Sequence, residues 1–303
     1  MILPVARKVI HHLRRRRLEA MAGQTQWQKV PAGFWMLIDP NEWFGSTVMM
    51  GYYESHLVYC VHQFVHEGDA CLDIGANQGY MSMHMARAAG ATGRIVAIEP
   101  TRFAFDRLTQ NVQRNGFPTI TCVNAAAGDT HTTLEMWYDP EECGYSSVYN
   151  KPSETSVREV VPVKPVDAIV AETLGDEALA RIRFVKIDVE GYEPPVLDGM
   201  PQILRQSQPI FWIEVNPPVL AKGGYYASDI ERRLNAFGYR FFKPHFHRNA
   251  IGIPSLALEP YSNLNVKLNG QMADMVAVVP DTQGWRRIQQ SKIRILEGEL
   301  TRA

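Results

Sequence analysis

The chain has 303 residues, of which 46% are hydrophobic and 21% are charged, and its formal net charge is -1. This length suits one large α/β domain or two small ones with a full core, and the balanced charge gives no reason to expect a nucleic acid partner. The four cysteines are scattered without metal-ligand spacing, which favours a reducing cytoplasm over a disulfide framework or a zinc site.

The N-terminal residues 1–30 are predicted to form a basic arm or helix outside the main domain. Residues 2–20 place apolar side chains on one helical face and bring four arginines together at 14–17. Such a helix suits peripheral contact with the anionic inner surface of a membrane, but a single short stripe favours a solvated helix or frayed arm. We expect neither a transmembrane helix nor a signal peptide, since no apolar run is long enough.

A glycine loop with an acid before it follows a buried strand. Residues 69–74 have the composition of that strand, and residues 79–90 have the apolar spacing of a helix. The candidate cofactor-binding residues here are Asp73, Gly75, Ala76, Asn77 and Gly79. Glycine lets backbone amides approach a small molecule closely, whereas an acid at this position suits an ammonium group better than a phosphate. The spacing matches neither a dinucleotide loop nor a P-loop.

A second acid ends the next strand. Residues 94–99 form an apolar run that finishes at Glu99, with Pro100 directly after it. An acid about 20 residues beyond a glycine loop accepts ribose hydroxyls in nucleotide-binding folds. A cofactor with a ribose, an amino-acid end and no phosphate satisfies both acids, so the sequence predicts S-adenosylmethionine.

The chain resembles the S-adenosylmethionine-dependent methyltransferases of the FkbM family. The resemblance lies in DIGANQGY, in GRIVAIEP, in FVKIDVEGYE at 184–193 and in GYYE at 51–54, and in order and spacing it covers roughly residues 31–280. It implies a Rossmann-like class I methyltransferase fold and methyl transfer, most often to a hydroxyl of a sugar, glycolipid or secondary metabolite. It also adds Glu54 to the candidate cofactor-binding residues.

Alternating strands and helices from residue 69 onward predict an α/β fold with a mostly parallel sheet covered on both faces. With the resemblance, seven strands are expected, at 69–74, 94–99, 119–125, 184–189, 209–215, 239–244 and 274–280. Helices are expected near 79–90, 102–114, 168–181, 193–206 and 228–237. The methyltransferase domain should span 31–285 with an inserted hairpin at about 131–165, and 286–303 should form a helical tail. The insertion and residues 243–266 are the expected acceptor-binding surface.

The catalytic candidates are acids and a histidine near the ends of later strands: Asp188, Glu190, Glu214 and His245. Asp188 ends the fourth strand, which in this fold faces the transferable methyl group, so it is assigned to both the catalytic and the cofactor site. Its alternative role is structural, as an acceptor for the amides of Gly191 and Tyr192. Asp129 is a candidate for the adenine amino group or an ordinary turn residue. The acids could also bind magnesium, but no metal is expected because their spacing is not distinctive.

Two other functions compete with an O-methyltransferase acting on a small molecule or glycan. One is a nicotinamide-dependent oxidoreductase on a similar sheet, which the glycine spacing disfavours. The other is a non-catalytic scaffold that has kept the cofactor loop. The sequence leaves the acceptor, its regiochemistry and the oligomeric state open.

Overall fold

The computed structural model describes residues 12–16, 19–20, 25–40, 42–139, 146–149, 154–249 and 253–296. Its strands are β1 Gln26–Lys29, β2 Trp35–Ile38, β3 Ala70–Ile74, β4 Arg94–Ile98, β5 Ile120–Val123, β6 Ala126–Gly128, β7 Thr132–Tyr138, β8 Ser146–Ser147, β9 Val157–Pro165, β10 Ile182–Ile187, β11 Ile210–Val215, β12 Arg240–Arg248, β13 Pro254–Tyr261, β14 Ala273–Val278 and β15 Arg294–Ile295. Its helices are α1 Trp43–Met50, α2 Ser55–Phe64, α3 Tyr80–Ala89, α4 Arg102–Asn115, α5 Val166–Leu174, α6 Glu193–Asp198, α7 Pro201–Gln206, α8 Pro217–Lys222, α9 Ala227–Asn235, α10 Leu264–Leu268 and α11 Gln283–Gln290.

The central sheet has the strand order β5-β4-β3-β10-β11-β14-β12-β13-β15. The five strands from β5 to β11 are parallel, and β14 runs antiparallel to β11. All seven strands expected from the sequence lie in this sheet, and the α/β class is confirmed. Two further strands, β13 and β15, extend the sheet beyond β12.

Both faces of the sheet are packed, as the apolar strands require. Every residue of β3 is buried. On one face Cys71, Phe184 and Trp212 lie in a core with α2 and α3. Their sequence neighbours point the other way because side chains alternate along a strand, and Leu72 and Val185 join a second core with α5, α7 and α9.

A separate four-stranded sheet, in the order β6-β9-β7-β8, stands between β5 and β10 in the chain. Strands β7 and β9 pair antiparallel over seven residue pairs, from Thr132↔Val163 to Tyr138↔Val157. This sheet is the inserted hairpin that the sequence predicts at about 131–165. Residues 140–145 of the insertion lie outside the described part of the chain.

Two of the expected helices are interrupted. The helix expected over 168–181 ends at Leu174 and continues as a 3₁₀-helix at Asp176–Ala180. The helix expected over 193–206 is split into α6 and α7 at Gly199, where a Cβ would lie 1.7 Å from the carbonyl oxygen of Gly128. The helix is therefore interrupted at Gly199, where α6 packs closely against β6.

Both ends of the expected domain need correction. Strand β1 lies within the expected arm 1–30, yet it pairs with β2 and so belongs to the folded body. At the other end, the helical tail expected over 286–303 is helical only as far as Gln290, and Arg294–Ile295 then pair with β13. Residues 297–303 lie outside the described part of the chain.

Little of the basic N-terminal segment is described. Residues 12–16 are helical, the Leu13 side chain is largely exposed, and the Arg14 guanidinium donates to the Met50 carbonyl at 3.0 Å. Among the described residues, no helix is long and apolar enough to cross a membrane. Membrane contact through residues 1–20 stays a prediction, which vesicle sedimentation of the full and truncated chains can test.

The junction between β3 and β10 gives a prediction with a matched control. Gly75 has a φ of 77°, and a Cβ there would lie 1.8 Å from the backbone oxygen of Asp188. Gly116 has a similar φ of 65° with open space around it. Gly116→Ala should therefore lower the free energy of unfolding by about 1–2 kcal/mol, the cost of the left-handed conformation alone. Gly75→Ala should lower it by at least about 3 kcal/mol, because β3 and β10 must also separate.

Urea denaturation of the two variants and the wild type measures this difference. Equal losses of stability in both variants would contradict the close approach of Gly75 to the Asp188 turn.

Candidate active site

A cavity of about 590 Å³ opens where the central parallel strands end. Residues directly after β3, β4 and β10 line it, as does the end of β11, so it lies at the carboxyl edge of the sheet. Eight of the predicted site residues line this one cavity: Glu54, Gly75, Asn77, Glu99, Pro100, Asp188, Glu190 and Glu214. The structure therefore brings together most of the site that the sequence predicts.

The glycine loop is built differently from the expectation that its amides approach a ligand. The N–H groups of Gly75 and Ala76 both donate to the Ile98 carbonyl at 3.0 Å. The Asn77 N–H donates to Glu99, and the Gly79 N–H donates to the Ala76 carbonyl. These four amides therefore tie the loop to β4 and to itself.

Ala76 and Gly79 do not line the cavity, which corrects their assignment to direct cofactor contact. Ala76 is buried in the core beside α3. A Cβ at Gly79 would lie 2.5 Å from the Leu108 side chain, so this glycine lets α3 start close to α4. Both residues act on the site through the shape of the loop.

Glu99 faces the cavity from a network of internal hydrogen bonds. Its Oε1 accepts from the amide and the hydroxyl of Thr101 at 3.0 and 2.7 Å. Its Oε2 accepts from the Asn77 amide at 2.9 Å. Burial raises the pKa of this carboxyl, and the bonds to Thr101 and Asn77 oppose that shift. The network fixes one carboxylate orientation at the end of β4.

Asp73 does not line the cavity, which corrects its expected contact with an ammonium group of the ligand. The side chain is fully buried, and its Oδ2 accepts from the Ser82 hydroxyl at 2.5 Å. Its Oδ1 lies 3.5 Å from the Lys186 ammonium. Burial raises the pKa of Asp73, and Lys186 opposes that shift. Asp73 thus meets an ammonium group supplied by the protein itself.

Four acids crowd the part of the cavity beyond β10. Carboxylate oxygens of Asp188, Glu190 and Glu214 lie within 4.8 Å of one another. Burial, reinforced by the charge of Asp188, raises the pKa of Glu190 to about 8 and that of Glu214 to about 10. Burial likewise raises the pKa of Glu54 to about 7. Near neutral pH Glu190 and Glu214 therefore hold protons and act as hydrogen-bond donors.

The alternative structural role of Asp188 is taken by another acid. The Gly191 amide donates to Glu193 Oε1 at 3.1 Å, and the Val189 amide donates to the same oxygen at 3.4 Å. Glu193 thus closes the turn after β10, while the Asp188 carboxylate lies 3.2 Å from the Lys186 ammonium and faces the cavity.

A histidine borders the acid cluster. His56 Nε2 lies 2.7 Å from Asp274 and 3.6 Å from Glu54. Burial lowers the pKa of His56, but the hydrogen bond to Asp274 and the charges of Asp274 and Glu54 together outweigh burial, so the net pKa is raised. These three residues, like Asp188, Glu190 and Glu214, are close enough to share a cation. The prediction that no metal is used stays a prediction.

Two predicted site residues lie away from the cavity. His245 is on β12, and its Nε2 lies 2.7 Å from Glu259 on β13. The surrounding residues 243–266 contribute no described lining residue, so of the two expected acceptor-binding segments only the insertion lines the cavity. Asp129 is exposed after β6 and does not line the cavity either. His245 lies away from the cavity because β12 and β13 extend the central sheet beyond its parallel strands, whereas Asp129 follows β6 of the separate four-stranded sheet.

The sequence predicts the insertion, and with it Tyr138, as acceptor-binding surface but does not reveal the rest of the aromatic and apolar wall. The wall comes from α1, from the start of α4 and from the insertion, and includes Trp43, Tyr53, Phe103, Leu134, Met136, Tyr138 and Val148. The Phe103 and Tyr138 rings stack at 5.8 Å and join the insertion to α4. Burial, then the charges of nearby acids, raises the pKa of Tyr53, so its phenol stays protonated. Only the tertiary fold brings these segments together.

Backbone strain also marks the cavity. Glu54, Asn77 and Glu190 have left-handed φ angles of 44°, 47° and 50°, and all three line it. Non-glycine residues hold such angles at a cost of about 1–3 kcal/mol, and they concentrate at functional sites. No motif in the sequence signals this feature at Glu54 or Glu190.

All the charged residues described in the cavity lining are acidic. The described lining residues include six carboxyl side chains, those of Glu54, Glu99, Asp139, Asp188, Glu190 and Glu214. They include no lysine, arginine or histidine. The cavity suits a positively charged or neutral occupant and disfavours a phosphate.

Comparisons with known proteins agree with this arrangement. A model of the methyltransferase FkbM domain matches residues 73–241, more than half of the chain. Methyltransferase 1 of Beauveria bassiana (strain ARSEF 2860) is 24% identical over 143 residues, which is 43% of this chain and 57% of that protein. Methyltransferase sdnD of Sordaria araneosa is 30% identical over 158 residues, 43% of this chain and 59% of that protein. The chain thus spans less than two thirds of the length of these curated relatives.

A solved structure is also similar. The crystal structure of methyltransferase FkbM from Methylobacillus flagellatus KT is 15% identical, with a TM-score of 0.41, over 77% of this chain and 53% of that one.

The acid cluster generates a prediction for stability against pH. Glu214 has a folded pKa of about 10, above the usual 4.5, so between these values the folded state binds more protons than the unfolded state. The free energy of unfolding contributed by this group must then fall as pH rises. Glu214→Gln removes that loss, so the variant should gain stability over the wild type by about 1–3 kcal/mol between about pH 5 and pH 8.

Urea denaturation across this pH range measures the gain, with Glu172→Gln on the exposed face of α5 as the control. A difference between Glu214→Gln and wild type that stays constant with pH would contradict the raised pKa.

Proposed function

Since the chain belongs to the FkbM family of S-adenosylmethionine-dependent methyltransferases, we propose that it transfers the methyl group to a hydroxyl oxygen of a sugar, glycolipid or secondary metabolite. The observation that carries the proposal is the cavity at the carboxyl edge of the sheet, with an acid-only set of charged lining residues. Its volume of about 590 Å³ is in the usual range for small-molecule sites.

The residues present fit the cofactor. S-Adenosylmethionine supplies an electrophilic methyl group on a positively charged sulfur, together with an ammonium group and no phosphate. Glu99 suits the ribose, because its fixed Oε2 accepts a single described bond, from Asn77, and retains acceptor capacity. Pro100 and the insertion extend the same wall toward an adenine ring. The acid cluster beyond β10 suits the positively charged sulfonium and ammonium groups of the cofactor.

The same features disfavour the nicotinamide oxidoreductase. A dinucleotide requires backbone amides for its pyrophosphate, and here the Gly75 and Ala76 amides donate to Ile98. A pyrophosphate in this cavity would also face carboxylates with no described basic residue in the lining.

The acceptor would lie between the acid cluster and the aromatic wall. Trp43 and Met272 line the cavity and are 60% and 59% exposed, so they mark its mouth. Aromatic and apolar side chains there suit the faces of a sugar ring or a polyketide-like body, which supports a neutral hydroxylated acceptor.

Asp188 is the candidate general base. Its carboxylate lines the cavity 3.2 Å from the Lys186 ammonium, where it would take up the hydroxyl proton. Glu190 and Glu214, with pKa values of about 8 and 10, would instead donate hydrogen bonds that orient the acceptor oxygen. Alignment of the two reactants is the larger contribution, because effective molarities in well-oriented systems reach about 10⁵–10⁸ M.

Two substitutions separate cofactor binding from chemistry. Glu99→Ala removes the ribose acceptor in both ground and transition states, so S-adenosylhomocysteine should bind about 10- to 100-fold more weakly. Asp188→Asn keeps the size of the side chain and removes its charge, so the affinity should change little while turnover falls by about 10²–10⁴. Calorimetry gives the affinities, and a mass-shift screen of candidate sugars and lipid-linked glycans gives the acceptor for turnover.

Glu172→Ala on α5 is the control for both measurements, since its partner is Lys164 at the surface. Normal turnover of Asp188→Asn on the true acceptor would show that the base lies elsewhere in the acid cluster.

A further inference from the structure

Lys186 is a buried cation in the middle of the central sheet. Its side chain is 6% exposed, and it lies directly opposite Asp73 in the parallel pairing of β10 with β3. The ammonium donates to the Gly75 carbonyl at 2.8 Å and lies 3.2 Å from Asp188 and 3.5 Å from Asp73. The ammonium thus donates one hydrogen bond, to Gly75, and forms ion pairs with two carboxylates.

We propose that Lys186 is a positioning residue that fixes the cofactor loop at Gly75 against the Asp188 turn. This proposal rests on the function proposed above. It concerns the relative placement of the two halves of the site. One is the loop whose Asn77 amide donates to Glu99, the proposed ribose acceptor, and the other is the turn that carries the candidate base.

Stability alone does not explain a lysine at this position. Removing an ammonium group from water costs several kcal/mol, and replacing a buried ion pair by apolar residues is often neutral or stabilising. The neighbouring inward residues Phe184 and Trp212 form an apolar core on that face of the sheet. An apolar residue at 186 opposite an uncharged residue at 73 would satisfy the packing.

The contact with Gly75 and Asp188 is what an apolar pair would lose. One backbone bond already joins the two strands at this level, from the Asp188 amide to the Ile74 carbonyl at 3.1 Å. The Gly75 amide donates to β4, so beyond Ile74 the Lys186 bond to the Gly75 carbonyl holds the loop to β10. The closeness of the Gly75 Cα to the Asp188 carbonyl leaves no room for a side chain between loop and turn. Lys186 contacts both Gly75 and Asp188, so one cation sets the spacing between the loop and the turn.

The electrostatic role follows from the same distances. The other acids around Asp188 repel its negative charge, and burial pushes Glu190 and Glu214 toward their protonated forms. The ammonium at 3.2 Å offsets this repulsion at Asp188. Lys186 thus places a positive charge beside Asp188, at the place where the acceptor would lose its proton.

The test separates positioning from stability with two variants. Lys186→Met leaves Asp73 buried without a cation and should lower both the melting temperature and the affinity for S-adenosylhomocysteine. Adding Asp73→Asn removes the buried charge and keeps a partner for Ser82, so the melting temperature should recover. The affinity of this double variant should remain at least about 10-fold weaker than that of the wild type, since the Gly75 carbonyl still lacks its donor.

Calorimetry with S-adenosylhomocysteine as the probe measures these affinities, and Lys292→Met at the surface is the matched control. Recovery of wild-type affinity along with stability in the double variant would overturn the proposal. If Lys186→Met does not fold, Lys186→Gln with Asp73→Asn gives the same comparison. Its affinity should lie between those of the wild type and the Lys186→Met, Asp73→Asn double variant, because an amide donor remains. A wild-type protein that fails to bind the probe at all would refute the proposed function, and this inference with it.

Discussion

The structure depends on the junction between β3 and β10, where one buried ammonium group holds two carboxylates and a loop carbonyl. These strands are neighbours in the sheet although more than a hundred residues separate them in the chain, and the strand order reverses between them. Crevices for ligands form at such a reversal because the loops on either side lead in opposite directions. Lys186 lies behind the lining of that crevice, in contact with Gly75 and Asp188. The absence of a Cβ at Gly75 lets the loop after β3 meet the turn after β10.

The charged residues of the cavity account for both of its proposed roles, cofactor binding and proton transfer. Burying several acids together raises their pKa values, as at Glu190 and Glu214, so the cluster holds protons as well as negative charge. In the proposed reaction such a lining would attract a sulfonium compound and would supply both donors and an acceptor to a hydroxyl group. Hydrogen bonds from Thr101 and Asn77 hold Glu99 in place at the opposite side, where a fixed acceptor serves recognition and no proton needs to move.

The sequence predicted the frame of this site because its signals are local. Apolar runs that end in an acid mark β3, β4, β10 and β11, and parallel strands bring such ends to one edge, which is why Glu99, Asp188 and Glu214 meet. The resemblance to a known family supplied Glu54. Other features depend on long-range contacts: the split of a helix at Gly199, the use of the Gly75 amide by Ile98, and the pairing of Lys186 with Asp73. His245 was misplaced since two extra strands carry β12 away from the cavity edge.

A crystal structure of the protein with S-adenosylhomocysteine tests the central claim most directly. The account predicts the ribose hydroxyls within hydrogen-bonding distance of Glu99. It also predicts that the sulfur points toward Asp188, above the contact between Gly75 and Lys186. A ligand bound elsewhere on the molecule, or bound in this cavity with its ribose away from Glu99, would contradict it.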